Sequence, residues 1–312
     1  MREEIAAPHA GSGLARAAPS AQPATQTTEP ALGSARSNWF ERARRVWPAT
    51  VSVLFLLAAG ILAAIPSVFG VPDPLATTPR DAFLPPSRAY LFGTDDLGRD
   101  LFSRTVYGAR VSLGTAIVVV IAAAGIGIPI GLAAGYREGI VDALVMRAVD
   151  VVLAFPAILL AMGLIAVIGA GWLNGALAVT IVSIPAFARL TRASVLQEKQ
   201  KEYVMAARTA GAGPARILGL TILPNCLGPL LVQAAFVATW AILLEAALSF
   251  LGLGVKPPTP SWGQMLSAGK TFLYRAWWYG FFPGLALTLV VLALNTIGEM
   301  TQRLVTRGWR NV

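Results

Sequence analysis

Charged residues are absent from five long stretches of the chain: Val46 to Pro72, Val111 to Tyr136, Val151 to Ala188, Ile217 to Leu244 and Ala276 to Gly298. Crossing the roughly 30 Å hydrocarbon core of a bilayer takes about 20 mostly apolar helical residues, so each stretch can hold a span. The third, 38 residues long, is too long for one. It is interrupted by Gly169-Ala170-Gly171-Trp172-Leu173-Asn174-Gly175, which has the turn chemistry of a tight hairpin. The pattern therefore predicts an all-α polytopic membrane protein with six transmembrane helices, near 48–70, 111–134, 145–168, 174–194, 226–251 and 283–304.

Outside those helices the chain divides by composition. Residues 1–37 are rich in Ala, Ser, Thr and Pro, with no spacing of large apolar residues that could pack a core, and read as a disordered tail. They lack the compact apolar centre of a secretory signal, and Glu3 and Glu4 stand where that signal carries basic residues. Residues 38–107 hold the first span and an extracytoplasmic connection, 108–306 the core, and 307–312 a cytoplasmic end.

Composition narrows the chemistry. The chain is 55% hydrophobic and 13% charged, with a mean hydropathy of +0.64, against about 25% charged in an ordinary soluble domain. Its one histidine, His9, and one cysteine, Cys226, build no thiolate or imidazole metal site, no Ser/His/Asp triad and no disulfide framework. No catalytic residue, metal or cofactor is expected. The net charge of +9 is explained by where it falls. Of the 25 Lys and Arg residues, 17 lie in the N-terminal tail, the 136–147 turn, the 189–216 connection and the C-terminal end, and eight on the opposite side. Basic residues mark the cytoplasmic face, so both termini are expected there. Nucleic acid is not needed to explain the charge, and no basic patch interleaved with aromatics points to it.

The stretch of about 30 residues between spans four and five, Gln197 to Asn225, is too long for a simple turn. Lys199 to Thr209 consists of good helix formers, with Glu198 and Lys201 placed for surface pairing. Gly211 and Gly213 supply positive φ for a helix stop, and Pro214 suits the first turn of a second helix running to about Ile222. Pro224 is expected to break the chain before span five. The product is a helix-turn-helix with small Ala206 and Ala207 on one face. It either juts out to meet another surface or lies on the lipid headgroups, and the pattern leaves both open.

Three blocks, FGTDDLGRDLFSRTVYGARVSL (Phe92 to Leu113), GYREGIVDALVMRAVDVVLAFPAILLA (Gly135 to Ala161) and EAALSFLGLGVKPPTPSWGQML (Glu245 to Leu266), resemble the inner-membrane permease subunits of ATP-binding-cassette importers, in the dipeptide, oligopeptide and nickel branch. The resemblance runs from about Asn38 to Arg303. The connection just described aligns with the EAA loop of such permeases, whose pattern is Glu-Ala-Ala, three residues, Gly, nine residues, Ile, any residue, Leu-Pro. Ala206, Ala207, Gly211, Leu223 and Pro224 match it, and Glu202 supplies an acidic residue three positions early. The pattern's Glu falls on Met205 and its Ile on Thr221, Leu220-Thr221 stands where the branch has Arg-His, and the C-terminal end departs from the family's acidic ending.

The resemblance implies the ABC type I importer permease fold and an inner-membrane location. It also implies a loop that docks on a cytoplasmic ATPase, and partners comprising a second homologous permease, two ATP-binding subunits and an extracytoplasmic substrate-binding protein. Peptides lead as cargo, with nickel chelates and other small solutes as alternatives. The chain has no Gly-x4-Gly-Lys-Ser/Thr run, so it carries no nucleotide site of that type and ATP is hydrolysed by partners. An ion-coupled transporter or channel is the rival from another class; it would place coupling carboxylates near the midplane, where only Glu245 lies well inside a span. A non-transporting scaffold is a third.

Several residues have two readings each. Glu245 lines the translocation path or is satisfied by its neighbours, including Ser249. Arg147 and Asp150, one turn apart, read as a self-neutralising bridge. Pro156 and Pro185 can kink their helices, and Gly127, Gly131 and Gly135, with Gly125 nearby, permit close helix packing. Trp262, Trp277, Trp278 and Tyr279 have the character of interface anchors. The proline-rich segment from Gly252 to Trp262 either faces a binding protein or caps the bundle. Asp95, Asp96, Arg99 and Asp100 either contact the partner permease or knit their own loop.

Overall fold

The structure, a computed structural model, describes the backbone of residues 34–308 and the side chains of residues 47–305. The expected disordered tail lies largely outside the described residues. Two units divide at Ala43, and the membrane-length helices belong to the second, which begins at Arg44.

The described residues form ten α-helices and no strand beyond an isolated bridge between Thr94 and Asp100. They are α1 (Ser34–Ala64), α2 (Leu101–Arg137), α3 (Gly139–Leu153), α4 (Ala157–Ile168), α5 (Trp172–Glu198), α6 (Glu202–Thr209), α7 (Pro214–Arg216), α8 (Leu223–Phe250), α9 (Trp262–Thr271) and α10 (Trp278–Gly308). Five helices are long and apolar enough to cross a membrane, and the bent pair α3 and α4 makes a sixth if counted as one.

The expected helices are present, with shifted ends. α2 starts ten residues before the expected span because Asp100 caps it, accepting from the backbone N–H groups of Phe102 and Ser103 at 3.3 and 3.0 Å. Its first turns carry Arg104 and Arg110, so a search for uncharged runs misses them. The hairpin between α4 and α5 is closed by Asn174, whose side-chain amide donates to the carbonyls of Ile168 and Gly169 at 3.0 and 2.9 Å. The third span, in which Pro156 was expected to be able to kink the helix, is bent by 88° between α3 and α4. Pro156 is the N-cap of α4, and the absence of its N–H leaves nothing to continue α3 through it. Pro185 leaves α5 unbroken.

α2 and α5 pack face to face at the centre. A Cβ on Gly127 would sit 2.7 Å from Phe187 Cβ, one on Gly131 2.5 Å from the Ala188 carbonyl oxygen, and one on Gly135 2.8 Å from Val195 Cβ. Only hydrogen fits there, which is the packing role expected for this stripe. Gly125 lies off the contact, with open space around it. The main core contains Val119, Ala123, Phe187 and Val195 from this pair, and Val204, Ile217, Ile222 and Leu230 from the α6 to α8 region.

The segment between α1 and α2 folds onto the ends of the later helices. Asp95 accepts from the N–H groups of Leu97 and Arg99, both at 2.9 Å, and from Arg99 Nε at 2.6 Å, so this loop is knitted from within. The aromatic residues read as interface anchors divide. Trp277 is exposed, but Trp262, Trp278 and Tyr279 are buried, and each donates to α2 or its lead-in: to Thr105 O at 2.9 Å, Thr94 O at 3.3 Å and Asp96 Oδ1 at 3.1 Å. Indole and phenol donors buried with their rings require such acceptors, and these rings find them inside the protein.

Arg110 ties the end of α1 to α2. Its Nε donates to Ala63 O and its Nη2 to Ala64 O at 2.7 Å, placing a cation at the C-terminus of α1, where the dipole favours one. Arg110→Ala is expected to cost about 1–3 kcal/mol of α1 docking. Limited proteolysis should then cut near residues 65–70 faster while the α2 to α10 bundle stays resistant.

Candidate functional site

The connection from α5 to α8 is held rigidly from below and left open above. In α6, Val204 is fully buried in the main core and Ala207 is half-buried against it, whereas Glu202, Met205, Ala206 and Thr209 are exposed. The two alanines therefore do not share a face: Ala206 is outward and Ala207 supports from within. Adjacent helical positions lie about 100° apart, and the core takes the one in register with Val204.

α6 stops in a Schellman arrangement. Gly211 N–H donates to Arg208 O at 3.0 Å and Ala212 N–H to Ala207 O at 3.1 Å, with Gly211 at φ +79°. Gly213, also expected at positive φ, is extended at φ −69° and ψ 161° as the N-cap of α7. Pro214 takes the first turn of α7 as expected. Pro224 does not break the chain. Residues Ile217–Ile222 form a π-helical stretch, with Leu223 N–H donating to Leu218 O, so that Pro214–Phe250 runs as one helix. The wider turn accommodates the proline ring, and Asn225 Nδ2 donates to Thr221 O at 2.7 Å. Leu223 is half-buried against the core, Pro224 is exposed, and Leu220 is 72% exposed.

Two features escaped the sequence. The first is Glu198, expected to pair on the surface with Lys201. It does pair, at 2.8 Å, but its own side chain is only 4% exposed and also accepts from the Tyr203 hydroxyl. Burial, and then this hydrogen bond, push the Tyr203 pKa up, so the phenol remains the donor. The carboxylate at the end of α5 thus holds the start of α6. Glu and Tyr five residues apart gave no recognisable spacing.

The second is a ladder of ion pairs between α5 and the α2–α3 corner. Lys199 pairs with Glu138 and donates to Gly135 O at 3.1 Å; Arg192 grips Asp142 through two 2.5 Å bonds; Arg189 meets Asp150 at 2.5 Å. Asp150 therefore pairs across helices with Arg189 rather than forming the expected bridge with Arg147. Glu138, Asp142 and Asp150 follow one another at intervals of four and eight residues, a usable signal, but their partners lie about 40 to 60 residues away. Single exposed pairs are weak. Here three pairs in a row link α5 to α3 and to the α2–α3 corner, ending beside α6. Arg192→Gln is expected to loosen α3 from α5 while leaving the membrane level unchanged, as read by faster limited proteolysis near residues 137–141 against quantitative blotting.

Glu245, the other candidate, is 5% exposed between α2 and α8. Its oxygens accept from Ser249 Oγ at 2.7 Å and Ser112 Oγ at 3.2 Å. That arrangement fits a carboxylate satisfied by its neighbours.

Comparison with known proteins gives the family. Residues 127–311 match the family model described as binding-protein-dependent transport system inner membrane component. The chain belongs to this family.

Among curated relatives, the permease is 48% identical over 210 residues to a di/tripeptide transport system permease protein of Pseudomonas aeruginosa, covering 67% of this chain and 69% of that one. It is 38% identical over 257 residues to a dipeptide transport system permease protein of Haemophilus influenzae, covering 80% and 87%. The counterpart in Escherichia coli K12 is 47% identical over 227 residues, covering 70% and 76%. Among solved structures, the permease resembles a chain of the MetNI methionine ABC transporter with a TM-score of 0.56 and 20% identity, covering 66% of this chain and 97% of that one. The fold is thus that of an ABC importer permease, and the protein is a multi-pass component of the inner membrane. Its family works with ATP-binding subunits and a substrate-binding protein.

Proposed function

We propose that this permease carries di- or oligopeptides into the cytoplasm, driven by ATP hydrolysed in partner subunits. The observation that carries the reading is the α6 to α8 connection: a rigid element, seated on the core by Val204 and Ala207, that leaves Glu202, Met205, Ala206, Gly211, Leu220 and Pro224 open to another surface. The peptide cargo is supported by the names of the relatives, with identity reaching 48%.

In this reading two ATP-binding subunits grip the connection of this chain and of a second, homologous permease. Closure of the ATPase pair shifts α6; Glu198 passes the shift to α5, and the ion-pair ladder passes it to α3. Differential contact in the two states is what such coupling requires. Both termini lie on the cytoplasmic side, and an extracytoplasmic binding protein delivers cargo to the opposite face.

The test is purification of the tagged permease from native membranes together with single-cysteine labelling. The expected result is co-purification of two ATP-binding subunits and a second permease. Cysteines at Ala206 and Leu220 should react only after the inner face is exposed, and one at Trp277 from outside. Labelling in the reverse sense, or purification without any ATPase, would overturn the reading.

A further inference from the structure

The bend between α3 and α4 has a cavity beside it. A space of about 270 Å³ lies between the bend, α5 and α8, bounded among others by Phe155, Val182, Ser183, Gln233, Phe236 and Trp240. On α8, Gln233, Phe236 and Trp240 recur at i, i+3 and i+7, so they share one helix face. Phe155, Phe236 and Trp240 are 56%, 42% and 48% exposed. No charged residue lines the cavity.

Two independent observations argue against lipid as its occupant. First, a helix break leaves backbone N–H and C=O groups without helical partners, and Pro156 as N-cap gives α4 no side-chain hydrogen bond. Hydrocarbon cannot satisfy such groups, so non-helical backbone at membrane depth occurs where it is buried in protein or lines a polar or water-filled space. The 88° bend falls inside the stretch that makes up one candidate span. Second, the primary amide of Gln233 has no hydrogen bond among the described residues, although it sits in an apolar helix. An unpaired amide facing lipid is costly. Here it faces the same cavity as the bend.

We infer that this cavity is a cargo subsite that receives one apolar or aromatic side chain of the transported peptide, with the Gln233 amide hydrogen-bonding the adjoining peptide group. The chemistry matches on each side. A primary amide both donates and accepts, as a peptide group requires, and the aromatic walls suit an uncharged side chain. The lack of a lining charge makes it unsuited to a peptide terminus. The subsite is joined to the drive, because α3 reaches the bend and is clipped to α5 by Arg189 and Arg192. This inference rests on the peptide reading proposed above.

The test uses the complete importer in proteoliposomes, with its binding protein and ATPases. Trp240→Ala is expected to lower kcat/KM for Phe-Leu about ten-fold or more while changing Gly-Gly less than about two-fold, since a hydrophobic pocket discriminates on that scale. Gln233→Leu should lower both peptides alike. In a Cys226→Ala background, alkylation of Gln233→Cys by N-ethylmaleimide should be rapid without peptide and slowed about five-fold or more by saturating Phe-Leu. Equal losses for the two peptides with Trp240→Ala, unprotected labelling, or labelling blocked without any peptide because lipid or the second permease fills the space, would each overturn the subsite. Failure of the unsubstituted importer to take up any dipeptide would overturn the peptide reading itself.

Discussion

Gly211→Val leaves the permease in the membrane and lowers uptake about ten-fold or more. Gly211 ends α6 at φ +79°, with both Schellman hydrogen bonds in place. A left-handed conformation costs an L-residue about 1–2 kcal/mol, and a β-branched one is an outlier there. Nothing lies within 4 Å of a Cβ at this position, so the penalty comes from the backbone alone. Relieving it turns the α6 end away from its seat without disturbing the spans. Gly211→Asn, which tolerates this conformation, should retain most of the uptake. Equal loss in the asparagine and valine variants would show that backbone conformation is not the cause.

Gly131→Val acts on the fold instead and should remove most of the folded protein. A Cβ there would lie 2.5 Å from Ala188 O and 2.6 Å from Thr191 Cβ, and neither the backbone of α5 nor a short side chain can move aside cheaply. Overpacking of this kind typically costs about 1–3 kcal/mol, and separating α2 from α5 also opens the main core. Gly125→Val, six residues earlier and facing open space, should accumulate normally. Fluorescence-detected size exclusion of tagged variants distinguishes the two.

What could be read from the sequence follows from the length scale of each signal. The spans were legible because a bilayer demands long uncharged runs, and the glycine stripe of α2 because its four-residue period is local. The 88° bend was only half legible: Pro156 signalled a disturbance, but its size depends on how α5 and α8 pack around it. Within the connection, Gly211 and Pro214 acted as their backbone preferences require. Pro224 did not, because a π-helical stretch ending two residues earlier, at Ile222, widened the turn to receive it. The partners of Asp150 and Asp142 were illegible, since pairing across helices depends on which faces meet. The burial of Glu198 likewise follows from the docking of α6 rather than from its own neighbours in sequence. Trp262, Trp278 and Tyr279 show the same limit: an amphipathic ring suits an interface or a buried site with an acceptor, and the acceptors come from residues 94–105, far along the chain.

The most direct test of the account is uptake of a labelled dipeptide by the purified importer in proteoliposomes, with ATP supplied at the ATPase face. Uptake should require ATP and the binding protein, persist when a protonophore collapses the ion gradient, and fall with Gly211→Val while the ATPase subunits remain present. Uptake that survives without ATP and disappears with the gradient would contradict it.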